Sequence, residues 1–127
     1  MSGAGDMLDG EFPGSSFYLA RALEQIRAGS SRRGLENAVR GLLLSDDLDL
    51  VKRSLPALRH MGSIVGSDAW VHHAFLALTC RVKGDRACER LALKGAISKR
   101  PQQLVLWRAL ARLEATDNQD RRGRSAA

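Results

Sequence analysis

Two histidines and two cysteines fall within one short stretch, at His72, His73, Cys80 and Cys88. Imidazole and thiolate are the usual ligands of zinc, so a metal site is the first chemistry to weigh. Seven residues separate His73 from Cys80, about 10 Å along a helix at 1.5 Å per residue. One ion cannot span that distance. Cys88 approaches Cys80 only if a facing helix carries it there. The expected role of both cysteines is that of small buried thiols, with no metal and no cofactor. Catalysis finds little else to use. The chain has no Gly-rich phosphate loop, no nucleophile elbow and no paired Glu/His motif. Glu24, Glu36, Glu89 and Glu114 read as solvated helix faces. A non-enzymatic role is expected.

The charged residues suggest binding instead. The 127-residue chain carries a formal net charge of +6. Residues 1–15 hold Asp6, Asp9 and Glu11 and no base, whereas over residues 67–116 bases outnumber Asp68, Asp85, Glu89 and Glu114. Lys83, Arg86, Arg90 and Lys94 form a basic stripe at helical spacing, extended by Lys99 and Arg100. Such a stripe can track a phosphate backbone. No aromatic residue interleaves it, and a solvated face explains it as well. A second candidate for phosphate contact is "RRGLENAVRGLLLS", with Arg32, Arg33 and Arg40.

These residues need helices to position them. Aromatics are only 5% of the chain, Leu, Ala and Arg dominate, and no run alternates as a strand would. Residues 1–14 are Gly-rich and aperiodic and are expected to be flexible. Ser15 or Ser16 caps a first helix, with Phe17, Leu19, Ala20, Leu23 and Ile26 as its apolar face and Gly29 as its stop. Ser30 or Ser31 caps a second, ending near Leu44, which Gly34 and Gly41 each weaken by about 1 kcal/mol. Ser45 caps a third, which Pro56 should kink or split near Ser54. Ser67-Asp68 starts a fourth that Gly84 stops. Asp85 starts a fifth, and Pro101 opens a sixth. The tail 117–127 lacks an apolar pattern and is expected to be disordered. The expectation is a single all-α domain over 15–116, about six antiparallel helices stacked as three hairpins, with a simple helical bundle as the alternative.

Residues 70–116 resemble the tetratricopeptide-repeat family. Gly84 and Pro101 stand at the family's separation, ending the first helix of a repeat and following the second. Leu76 and Ala77 meet the large–small contact of the first helix, and Leu93, Ala96 and Ile97 the packing positions of the second. Trp107, Leu110 and Ala111 fall where the next repeat has its Trp, Leu and small residue. His73 occupies the place of the repeat's own tryptophan, Cys80 replaces the usual Tyr, and Glu89 stands where a small residue is common. Upstream of residue 67 no such pair is in register.

In that family the first helix of each pair lines a concave surface. Carried onto this chain, the resemblance implies a trough of Val71, Ala74, Leu78, Val82 and Val105, rimmed by Arg81, Arg108 and Arg112. It suits an amphipathic partner helix with acidic flanks. It also implies that Trp107 is buried between hairpins. Small three-hairpin chaperones of bacterial secretion substrates, such as type III needle subunits, are similar in size and architecture. The implied function is a small cytoplasmic adaptor or chaperone that binds a partner protein and dimerises when the partner is absent. The same trough residues, read as core, would bind nothing. A basic nucleic-acid-binding protein is the alternative. "MSGAGDMLDGEF" lacks the features of a signal peptide, and no apolar run reaches the length of a membrane span.

Overall fold

The computed structural model describes residues 13–126. They form six helices: α1 (Ser15–Arg27), α2 (Ser31–Leu44), α3 (Leu48–Val65), α4 (Ala69–Lys83), α5 (Arg86–Lys99) and α6 (Leu104–Ala126). The class is all-α, with no strand among the described residues. Residues 1–12 of the expected lead-in, and Ala127, lie outside them.

The helix ends follow local chemistry, though not always through the expected residue. Ser15 does not cap α1; Gly14 holds the N-cap position, and the Ser15 hydroxyl donates to Gly41 O of α2 at 2.7 Å. Ser45 gives way to Asp47, whose carboxylate accepts from Leu50 N at 3.0 Å, while Ser45 Oγ accepts from Asp47 N. Asp85 caps α5 in the same manner, accepting from Cys88 N. Gly84 turns the chain between α4 and α5 at φ +77°, a left-handed conformation that side-chain-bearing residues resist.

Pro56 sits inside an unbroken α3. The carbonyl it leaves unbonded belongs to Lys52, and both residues lie on the exposed face, where water can serve the carbonyl. The expected split at Ser54 is absent.

The glycines of α2 have a packing reason. A Cβ at Gly34 would lie 2.5 Å from Ile26 Cγ1, and one at Gly41 would lie 2.7 Å from Leu19 Cδ2. Their absence lets α1 approach α2 closely, which offsets the helix propensity they forfeit.

Packing is uneven around the molecule. The tightest pairs are α1 with α2 and α4 with α5, each closed by a short glycine-containing link. The other helices meet more loosely. α1 packs on α2 alone, whereas α2 also touches α3, α4 and α6. α4 is apolar almost all round and buries Trp70, Val71, Ala74, Phe75, Ala77, Leu78 and Cys80. With α2 it forms the centre, where Leu35, Val39, Leu42, Leu78, Leu93 and Leu106 are sealed from solvent. Each such leucine contributes about 1.5–3 kcal/mol by leaving water.

α6 continues through residues 117–126, where the aperiodic sequence predicted disorder. Two carboxylates hold it against α5. Asp117 pairs with Arg90 and, at 3.3 Å, with Arg86, which also reaches Asp120. Ion pairs, not apolar burial, extend this helix.

Candidate functional site

The expected trough is closed. Val71, Ala74 and Leu78 are fully buried, Val105 is nearly so, and Val82 is partly buried against the core. Val71, Ala74 and Leu78 lie on α4, which packs against α2, α3 and α5, and Val105 on α6, so these four hold the fold together. The apolar run that reads as a groove in a curved repeat is core here, because α2 lies across it.

The rim arginines are engaged as well. α2 has no basic residue in its last turn, and its final carbonyls lie beside other helices. Arg81 of α4 donates to Leu42 O at 3.2 Å and to Leu43 O at 3.1 Å. Arg112 of α6 donates to Leu44 O at 2.5 Å and pairs with Asp46. Cations from two other helices therefore complete the negative end of α2. Arg81 also binds Glu89 of α5 at 2.9 Å. Arg108 donates to Pro13 O at 2.7 Å, tying α6 to the segment before α1. A cleft of 240 Å³ opens between these arginines and α6, lined by Leu43, Leu48 and Leu113 as well as by the paired charges.

The remaining candidates are likewise redistributed. The basic stripe is split: Arg86 and Arg90 face the carboxylates of α6, while Lys83 and Lys94 stay exposed. Arg32 binds Asp68 at 2.6 Å. Arg40 lies over the Trp70 ring, 5.4 Å from its centroid, and donates to Gln103 and Asn37. Burial lowers its pKa, and the nearby Arg100 acts in the same direction, while Glu36 opposes them.

Trp107, expected in the core, is half exposed and donates its indole N–H to Pro101 O at 2.7 Å. Trp70 is the buried tryptophan. Cys80 and Cys88 are not free thiols. They form a disulfide across the α4–α5 hairpin, with Cα atoms 5.7 Å apart. The His73 ring packs on α5 at Gly95, where a Cβ would come within 2.7 Å of Nδ1.

One surface stands apart. Among the described residues α1 rests on a single neighbouring helix, so only one of its faces is covered by them. Leu19, Ala22 and Ile26 turn inward. Phe17 and Leu23, expected on that same face, point away and are 51% and 49% exposed, with exposed Ala20 between them. At 100° per residue these apolar positions spread over more than one stripe, a signal that the helix has two apolar sides. Arg21, Glu24 and Arg27 lie beside the outer one, all exposed, and Arg21 pairs with Glu24 at 3.7 Å. Phe17, Ala20 and Leu23 therefore form an exposed apolar strip on the outer side of α1.

No family model matches this chain, and no curated protein or solved structure is significantly similar to it.

Proposed function

We propose that this protein is a non-enzymatic helical adaptor, of the chaperone kind its repeat-like sequence suggests, that holds an amphipathic helix of a partner protein on the outer face of α1. The observation that carries this reading is the exposure of Phe17 and Leu23 on a helix that, among the described residues, packs on α2 alone. Arg27 beside the strip, which pairs with no carboxylate among the described residues, and a chain charge of +6 favour a partner with acidic flanks. The binding mode is helix against helix, with apolar anchors at the centre and charges at the edge. Nucleic acid is the weaker reading. Arg32, Arg40, Arg86 and Arg90, which would contact phosphates, already have partners within the chain.

No helix of the described residues is long and apolar enough to cross a membrane. The expected compartment was cytoplasmic. The disulfide between Cys80 and Cys88 supports an oxidising compartment instead.

The test is a capture experiment from the native host with wild-type and Leu23→Asp proteins. Leu23 is exposed, so the variant keeps its helix content by circular dichroism. A carboxylate in the strip would have to be desolvated on binding, which weakens capture by at least about tenfold. One stoichiometric protein retained by wild type at high salt and lost from the variant is the expected result. Equal capture by both proteins, or retention of nucleic acid that salt removes, overturns the reading.

A further inference from the structure

A separate cleft of 360 Å³ lies between the end of α3 and the first turns of α4. That volume is within the range of small-molecule sites, about 300–1,000 Å³. Gly62 and Phe75 are its buried floor, and half-exposed Leu76 is one wall. A Cβ at Gly62 would sit 3.6 Å from Phe75 Cε2, in ordinary contact, so a larger side chain there would begin to fill the floor.

The polar groups converge from the other side. Ser67 Oγ and His72 Nε2 are 3.2 Å apart. Arg59 donates to the Thr79 hydroxyl, which itself donates to Phe75 O at 2.9 Å. Arg32, Arg53, Arg81, Arg86, Arg90 and Arg112 each pair with a carboxylate, whereas Arg59 has none within 4.0 Å among the described residues. Its charge is met only by a neutral hydroxyl, at the lip of an apolar floor.

We infer that this cleft binds a small organic carboxylate with an apolar body. The guanidinium takes the carboxylate, a match of planar donors to planar acceptors. Ser67 and His72 are placed to hydrogen-bond its second oxygen. The hydrocarbon part lies on Phe75 and Leu76. A compact inorganic anion would leave that floor empty, and a neutral amphiphile would leave Arg59 unanswered. The inference is independent of the α1 surface, which lies on different helices.

Octanoate and octanol are suitable probes, titrated into the full chain and followed by amide chemical shifts. Octanoate should bind once per chain, shifting Ser67, His72 and Leu76, and octanol at least about tenfold more weakly. Arg59→Met should weaken octanoate by about tenfold or more and leave octanol unchanged, while Arg59→Lys retains part of the affinity. Arg59 is exposed, so both variants should keep the wild-type circular dichroism. Leu76→Glu, which sets a like charge at the mouth, gives a second loss by a different route. Leu23→Asp should leave octanoate binding intact. No saturable octanoate binding, equal affinity for octanol, or an Arg59→Met protein that binds octanoate as wild type does would overturn the inference.

Discussion

Removing the Arg81 side chain should destabilise the protein far more than a partly exposed arginine ordinarily would. The Arg81 side chain is 20% exposed and that of its partner Glu89 only 5%. In Arg81→Met the Glu89 carboxylate stays behind without its cation. Stranding one member of a buried pair costs about 3–5 kcal/mol, and the residual exposure of Arg81 favours the lower end. The carbonyl of Leu43 also loses its donor, at about 1 kcal/mol when water cannot replace it, while Leu42 O keeps Ser45 N. The expected total is about 4–5 kcal/mol, a large share of the roughly 5–15 kcal/mol that holds a domain together. The double variant Arg81→Met/Glu89→Leu separates the two effects. It removes the stranded charge and keeps the uncapped Leu43 carbonyl, so it should recover to within about 2 kcal/mol of wild type. Urea denaturation followed by circular dichroism measures both. A cost below about 1 kcal/mol for the single variant, or a double variant no more stable than the single, would refute the reasoning.

The tryptophans should behave oppositely. Trp70→Ala should cost about 3–5 kcal/mol and Trp107→Ala less than about 1 kcal/mol, read from the same urea curves. Asp117→Asn/Asp120→Asn should loosen the end of α6, seen as faster tryptic cleavage after Arg121 and Arg122 with the rest of the fold resistant. Cys80 and Cys88 should give no thiol titre in unfolded, unreduced protein and two thiols per chain after reduction.

The helix joints were legible because local chemistry makes them. Gly29 and Gly84 mark breaks that no tertiary contact has to explain, and Asp85 caps where its position implies, whereas Pro101, expected to open the last helix, lies in the turn before it and the helix begins at Leu104. The faces were harder. Apolar spacing on α4 tells that Val71, Ala74 and Leu78 turn away from water, but a groove and a core have the same period. The clue that decides it, apolar residues on nearly every side of α4, is present in the sequence as a helix with little polar surface. Arg81 and Arg112 could not be placed from spacing, since their acceptors lie 39 and 68 residues away. The end of α6 was missed for the same reason: its helix depends on Arg86 and Arg90, more than twenty residues earlier, and carries no apolar period of its own. On α1, Phe17 and Leu23 were seen as apolar, but the side they face depends on how many neighbours the helix has.

The borrowed ending of α2 bears on the order in which the chain can be assembled. As the polypeptide leaves the ribosome, the α1–α2 hairpin appears first and its two helices can meet at once. Its last carbonyls must then wait for Arg81 and Arg112 on segments not yet made. The hairpin is therefore unfinished until the C-terminal third arrives. An array of self-contained units could grow by accretion, each new unit docking on a completed one. This chain should instead reach its native state in a single cooperative step once α6 has emerged. A nascent chain halted before α6 would keep that end open, and with it the surface on which a folding helper, or a protease, could act.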